Sequence, residues 1–343
     1  MSRAQLTSTV EQNTGGAVSP YVAGKNKIIN GDFSIWQRGT SFTQALNAVT
    51  YCVDRWSYFK NGTGTTQTIT QQTFTPGAAP VSGYEGTYFS QILCSVAGSG
   101  TDTNVLQQRI EDVRVFAGQT VTMSFWAKAD SSRNITVDSY QIFGSGGSAD
   151  VSGTASSAIG LTTSWARYTA TLSVASISGK TVGTSSSVAF RFVLPVNTTF
   201  TISIWGVQVE AGSVATPFTT ATGTLSGELA LAQRYYYRLT SVGSSSNYQH
   251  FGMGQAYSTS AAKVPIFLPV AMRTSPSISS SGSIGLLNST NTSIANASVS
   301  SDGINTTIAG TVWGSSSGLV AGNATTLIAN GNSSCFIEFS SEL

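Results

Sequence analysis

The sequence predicts an all-β protein, and three observations carry that expectation. Only 9% of the 343 residues are charged, against roughly 25% in an ordinary soluble domain. The Ala/Glu/Lys/Leu/Arg texture of a helical bundle is therefore missing. Ser and Thr fill the gap with about 28% of the chain, and there are 35 glycines. Short apolar or alternating runs recur at regular spacing, separated by Gly, Asn, Ser or Pro turns with no helical period between them. That is the pattern of an antiparallel sandwich or barrel. Other classes fall away on the same figures. Sixteen Phe, 12 Tyr and 6 Trp are too many aromatics for a disordered chain. A net charge of +2 is too small to attract a phosphate backbone, so no nucleic-acid partner is expected. No run of 18 apolar residues exists, so no membrane insertion is expected. A neutral, hydroxylated surface has little self-repulsion, which favours a permanent oligomer.

The elements follow in order. Residues 1–25 are polar, carry Gly15-Gly16 and Pro20, and show no sustained period, so they form an extended arm that orders against a partner. Residues 26–220 form the first β domain. It opens with an apolar-rich strand pair over Lys27–Trp36 around the Asn30-Gly31 turn signal. Strands follow at Thr65–Phe74, Thr87–Cys94, Gln107–Val113, Thr120–Lys128, Ile135–Phe143, Trp165–Val174, Val188–Leu194 and Thr201–Val209. Thr120–Lys128 alternates most cleanly, with Val121, Met123, Phe125 and Ala127 on one face. Residues 221–240 form a linker with a short helix: Glu228-Leu-Ala-Leu-Ala-Gln has good helix propensity, with Ser226 or Gly227 near the cap. The helix feeds a strand, because Tyr235-Tyr-Tyr237 prefers extended backbone. Residues 241–343 form a second, smaller β-sandwich, with strands such as Val264–Val270 and a final Cys335–Phe339.

Catalytic constellations are scarce. Cys52, Cys94 and Cys335 are too widely spaced for a zinc site or a disulfide framework and read as buried small hydrophobes. The N-terminus has no apolar h-region after Arg3, so no secretory signal is read. His250 is the only histidine, and no G-x-S-x-G elbow accompanies it. Asp and Glu total 15, and no acid pair is placed to flank a glycosidic bond. The chain therefore reads as no enzyme, with no cofactor required. The aromatics are the better lead, since sugar rings stack on Trp and Tyr while neutral polar groups bond the hydroxyls. Tyr84, Tyr140 and Trp313 lie near Gly/Ser-rich loops, and Tyr58 joins them as a candidate glycan contact. Trp126 and Trp205, in the most regular strands, read as core. Tyr235, Tyr236 and Tyr237 are the candidate inter-subunit or inter-domain seam.

The first β domain resembles a carbohydrate-binding-module-like jelly roll. Asn26–Phe33 looks like the opening strand of those modules, Phe116–Lys128 like their central strand, Ser164–Thr171 like the next signature, and Ile202–Gly212 with Pro217-Phe218 like the closing strand. More narrowly, Ile35–Ser41, Asp54-Arg-Trp56 and Gln233–Tyr237 resemble bacteriophage and prophage tail-fibre proteins. In this motif Trp36, Arg38, Asp54, Arg55 and Trp56 read as structural, with Arg38 or Arg55 pairing Asp54 and packing on indole. The resemblance implies a virion structural protein made in the host cytoplasm, a homotrimer anchored to other virion proteins by its arm, and binding to host-surface glycans. It also implies a structural calcium near Asn30, Asp32 and Glu210. Rival readings are a head decoration or head-fibre protein, and an accessory glycan-binding module of a polysaccharide-degrading complex.

Overall fold

A computed structural model describes residues 24–343, apart from 45–46, 63–65, 82, 101, 243–248, 288–292, 295–297, 302–306, 316–317 and 332. The predicted arm thus lies outside the described residues, save Gly24 and Lys25. Two compact units divide the chain: residues 1–229 with Leu343, and residues 230–342.

In chain order the strands of the first unit are β1 (Ser41–Thr43), β2 (Ala48–Tyr51), β3 (Trp56–Asn61), β4 (Thr66–Thr73), β5 (Tyr88–Val96), β6 (Thr103–Ile110), β7 (Thr120–Ala129), β8 (Arg133–Ile142), β9 (Val151–Ser152), β10 (Ile159–Leu161), β11 (Ala166–Ser173), β12 (Ser187–Val193) and β13 (Phe200–Ala211). They form a six-stranded sheet, β1-β4-β5-β13-β7-β11, and a seven-stranded one, β10-β8-β12-β6-β3-β2 with β9 on β8. Every pairing is antiparallel. From β5 onward successive long strands cross between the sheets, as in a jelly roll.

Alternation decides what each sheet buries. Ile92, Val121, Met123, Phe125 and Ile202 from the first sheet meet Trp56, Leu106, Val137, Phe190 and Phe192 from the second in one core. Trp56 stacks on Phe33 with ring centroids 5.2 Å apart, and Phe125 meets Phe192 edge-on at 4.8 Å. Cys52 and Cys94 are free and buried in this core. Burial pushes the Cys52 thiol up to about 12, so it behaves as a small hydrophobe.

The segment from Asn26 to Trp36 is not the expected strand pair. It contains turns and no strand. Two asparagine amides replace the ladder. Asn26 donates to the carbonyls of Val207 and Thr219 and accepts from the amides of Ile28 and Val209. Asn30 sits at φ 56°, accepts from the Ile35 amide, and donates to the carbonyls of Ile35 and Asp54. Asparagine tolerates this left-handed backbone, so the Asn-Gly pair makes a side-chain-pinned turn. Gly31 is required because a Cβ there would run into the Val207 carbonyl oxygen.

The far face of the six-stranded sheet is closed. Trp126 and Trp205 lie in strands as expected, but in a second cluster with Phe74, Phe89 and Phe218, outside the inter-sheet core. Gly206, at φ 64°, bulges β13 between Trp205 and Gln208, and a Cβ there would strike the Trp126 ring. The segment after β13 folds over this face. Phe218 meets Trp205 at 5.1 Å. Thr216 bonds Glu210 and Gln208. Arg167 lies 4.8 Å from the centre of Trp126.

Helix α1 (Leu225–Gln233) is capped by Thr224, whose hydroxyl accepts the Gly227 amide at 3.2 Å. The cap thus falls two or three residues before the expected one, because the threonine hydroxyl reaches the third helical amide. The Glu228 carboxylate accepts from the amides of Thr222 and Asn30.

The second unit contains β14 (Tyr236–Thr240), β15 (His250–Ala256), β16 (Ala261–Phe267), β17 (Ser277–Ser281), β18 (Ile284–Leu287), β19 (Ser293–Ile294), β20 (Ser298–Ser301), β21 (Ala309–Ser315), β22 (Ala324–Ala329) and β23 (Phe336–Ser340). A three-stranded sheet, β14-β23-β17, and a seven-stranded one, β19-β18-β22-β15-β16-β21-β20, share a core of Val264, Ile266, Leu286, Leu327, Ile337 and Phe339. The final strand is Phe336–Ser340, close to the expected Cys335–Phe339. The tyrosine run enters β14 as expected. Tyr235 and Tyr236 are buried within the single chain, and the Tyr236 hydroxyl donates to Glu338 at 2.6 Å. Tyr237 stacks on Phe339. Burial of Tyr236 to 1% needs no second subunit.

Candidate functional site

The face of the seven-stranded sheet turned away from the core carries a cleft of about 270 Å³. Strand register explains its lining. Residues paired across antiparallel strands share a face, so Val49, Phe59, Val105, Val193 and Thr136 form one cross-strand row. Tyr51, Ser57, Gln107, Arg191 and Asp138 form the next. Arg109, Ala189, Tyr140 and Ser152 form a third. Val105, Gln107 and Ala189 are a buried floor, while Val49, Phe59, Arg109, Tyr140 and Arg191 stand taller and half-buried or exposed at its sides.

The electrostatics fix the walls. Arg191 makes a two-pronged pair with Asp138, 2.7 Å on each arm. The Arg191 guanidinium lies 4.5 Å from the centre of the Tyr140 ring. A planar cation held by a carboxylate on one side and stacked on a ring on the other is rigid. Tyr140 is therefore a pre-set aromatic wall. Its hydroxyl reaches Asp150 at 3.4 Å, and Asp150 also accepts the Phe143 amide at 3.1 Å. Burial and then the Asp150 charge raise the Tyr140 phenol above its usual range, so it remains a neutral donor. Two buried polar atoms of these rows, the Ser57 hydroxyl and Arg109 Nε, have no hydrogen-bond partner among the described residues.

Of the sequence candidates whose side chains are described, only Tyr140 enters this cleft. Tyr58 is a correction. It faces the inter-sheet core at 1% exposure, packs among core aliphatics, and donates its hydroxyl to buried Asn104. The reason is parity, since Phe59 rather than Tyr58 points to the cleft. Tyr84 lies elsewhere, beside a cleft of about 340 Å³ lined by Asp32, Ser34, Glu85 and Thr87. Its hydroxyl donates to Asp32 at 3.0 Å, and its ring meets Trp205 and Phe218 edge-on. It buttresses the closed face. Trp313 belongs to β21, and its side chain lies outside the described residues.

The residues read from sequence as a structural motif hold the loops around Asn30 and beside them. Trp56 Nε1 donates to the Asn30 carbonyl at 3.1 Å, and Trp36 Nε1 to the Phe33 carbonyl at 2.6 Å. Asp54 accepts the amide and the side chain of Gln37, each at 2.6 Å. Arg55 donates to the Arg109 carbonyl at 2.6 Å, and Arg38 lies 5.4 Å from the Tyr51 ring centre.

The residues do not fit the expected calcium. The Glu210 carboxylate is taken by the Lys25 ammonium at 2.8 Å, by Gln208, and by the amide and hydroxyl of Thr216. Asn30 spends its carbonyl oxygen on Ile35, and Asp32 accepts from Ser34 and Tyr84. A hard cation needs six or more oxygens turned towards one point. Of the two carboxylates in this set only Glu210 is buried, and an ammonium already neutralises it. Among the described residues no group of three His, Cys, Asp or Glu side chains is placed to hold a metal ion. His250 is exposed on β15. Among the described residues no helix is long and apolar enough to cross a membrane.

No protein-family model matches the chain, and no curated protein matches it. Solved structures give partial likenesses. A CBM4 structure has 19% identity and a TM-score of 0.31, covering 53% of this chain and 98% of the other. A family 11 carbohydrate-binding module from Clostridium thermocellum, in complex with a β-1,3-1,4-mixed-linked tetrasaccharide, has 13% identity and a TM-score of 0.32, covering 51% and 97%. The enzymatically active domain of tailspike protein 4 of bacteriophage CBA120 has 16% identity and a TM-score of 0.31, covering 57% of this chain and 22% of the other. The first unit's assignment as a β-sandwich rests on its own strand order and shared core.

Proposed function

We propose that the first unit binds host-surface glycans in the cleft of its seven-stranded sheet. We propose further that the chain is a virion structural protein of tail-fibre type, a homotrimer anchored to other virion proteins through residues 1–25. The single observation that supports the glycan reading is the cleft itself. It combines a half-buried Tyr140 under the Arg191 guanidinium, a second aromatic, Phe59, and polar lining from Gln107, Arg109 and Asp150. Aromatic faces take the C–H faces of sugar rings while neutral and charged donors take hydroxyls, and a shallow open cleft admits part of a long chain. Binding here needs no catalytic group.

The tail-fibre reading is supported by the motifs around Ile35–Ser41, Asp54–Trp56 and Gln233–Tyr237, and by a hydroxyl-rich surface with little self-repulsion. Binding of the purified chain to an array of bacterial surface glycans tests the first reading, and an array without hits refutes it. Light scattering tests the trimer, which a stable monomer at micromolar concentration excludes. Immunogold labelling of particles with an antibody against residues 1–25, masked in intact virions and exposed on the free protein, tests the anchor.

A further inference from the structure

We infer that the outer edge of β11 accepts residues 4–10 of a second copy of this chain as an added strand. The inference rests on the trimer reading above and names the contact that builds it. A strand at the end of a sheet presents a row of N–H and C=O groups, and proteins keep such edges short or guard them with Pro, Lys or bulges. The other edge strands among the described residues follow that rule: β1, β2, β10, β14 and β17 have five residues or fewer. β11 has eight. It pairs with β7 over its whole length without a bulge, and the described residues give its other side no backbone partner. It contains no Pro, Gly or Lys. Its one charge, Arg167, is turned onto the sheet face, 4.8 Å from the centre of Trp126 and bonded to Ser124 and Thr216. The edge is long and unguarded.

A groove of about 320 Å³ lies along it, lined by Thr169, Ala170 and Thr171 and by Ser156, Ser157 and Ile159. All are neutral, so the edge suits a neutral strand. Residues 4–10, Ala-Gln-Leu-Thr-Ser-Thr-Val, carry no charge, Gly or Pro between Arg3 and Glu11. In extended backbone Leu6, Ser8 and Val10 share one side, and Thr7 and Thr9 the other. The first set suits the groove side, towards which Ala170 and Leu172 are buried. The second suits the side of the exposed Thr169 and Thr171, since cross-strand threonine pairs stabilise a sheet.

The reach fits a neighbouring copy. Residues 1–23 lie outside the described residues, and the chain after them is held on β13, where Lys25 pairs with Glu210 and the Lys27 amide bonds the Val209 carbonyl. In the same sheet β11 is two strands from β13, about 10 Å. Residues 11–23 extend up to about 45 Å, far more than a return to the same chain's β11 needs. One donor segment and one acceptor edge per copy make a head-to-tail contact, the kind that closes rings. Residues 11–23 stay available to other virion proteins.

The test uses the full chain. Hydrogen exchange read by mass spectrometry should show β11 protected in the wild-type trimer. Ser8→Pro with Thr9→Pro removes two adjacent N–H groups, so either pairing register loses ladder bonds. That variant should lose protection along β11, and the concentration at which the trimer dissociates should rise by about tenfold or more. A labelled peptide of residues 3–11 should bind the variant's vacated edge about tenfold more tightly than the wild type's filled one. Asn13→Pro with Thr14→Pro, outside the donor segment, should change none of these. Thermal melts check that each variant folds.

Fast exchange along β11 in a wild-type trimer, or unchanged β11 protection in the Ser8→Pro, Thr9→Pro variant, overturns the inference and leaves the trimer standing. Lost protection with an unweakened trimer places the segment on its own chain and overturns the exchange between copies. A monomeric wild type defeats both readings.

Discussion

The two outer faces of the first sandwich are built from the same residue types and end in opposite states. On the six-stranded sheet, Trp126 and Trp205 point outward and are buried by Phe74, Phe89 and Phe218. Around them Gln208, Glu210 and Arg167 are bonded to the segment after β13. On the seven-stranded sheet, Tyr140, Phe59 and Arg109 also point outward, yet among the described residues no such segment closes the cleft between them. The first face spends its aromatics on stability. The second keeps a ring and a cation at the walls of an open cleft. Aromatic residues alone therefore do not mark a binding face. What marks it is an aromatic made rigid by its neighbours at the wall of an open cleft.

The largest expected effect falls on the closed face. Trp205→Ala removes a fully buried indole and costs about 3–5 kcal/mol of unfolding free energy, read by denaturant titration. A cost near zero would break the contrast, because the aromatic lid would then be decorative. Next comes Asp138→Ala, which leaves Arg191 unpaired at 18% side-chain exposure. It costs about 3 kcal/mol or somewhat less and also weakens glycan binding, since Tyr140 loses its backing. Unchanged binding would show that the wall need not be rigid.

A smaller effect is pH-dependent. Burial alone raises the Glu210 carboxyl, but bonds from Lys25, Thr216 and Gln208 outweigh it and hold the group below its ordinary 4.5. Its stabilising contribution is therefore present above pH 4.5 and lost as pH falls through the lower folded-state value. Wild type should exceed Glu210→Gln in melting temperature at neutral pH, with the gap closing in acid. Glu228 runs the other way. Burial raises its carboxyl despite bonds from Asn30 and Thr222, so any stability it lends is present below pH 4.5 and lost as pH rises through the folded value. Glu228→Gln should gain on wild type over that rise. The smallest effect is none: EDTA should leave the melting temperature in place, because Lys25 already balances Glu210. A fall that calcium restores would reverse the account of that face.

Much of the fold was legible in the sequence because alternation is local. Thr120–Lys128 became β7 almost residue for residue, and the helix-to-strand change after Ala232 followed propensity. The opening segment was misjudged because Asn-Gly signals a hairpin only when a ladder flanks it, and here Asn26 and Asn30 supply the bonds. The cleft was mostly hidden. Tyr140, Arg109 and Arg191 are far apart in the chain and meet only through strand register, which no local pattern fixes. One signal was present: Arg191 is the lone charge in the apolar run Val188–Leu194, and a charge there has to face away from the core. Tyr58 shows the cost of reading identity without parity, since its neighbour Phe59 holds the outward position.

The account is tested most directly by calorimetric glycan titration of two variants, Tyr140→Ala in the cleft and Tyr84→Ala at the closed face. For a glycan that binds wild type, Tyr140→Ala should weaken affinity by about tenfold or more, near 1.4 kcal/mol, while Tyr84→Ala leaves it within experimental error. Retained affinity in Tyr140→Ala, or loss confined to Tyr84→Ala, would contradict the assignment of binding to the seven-stranded sheet.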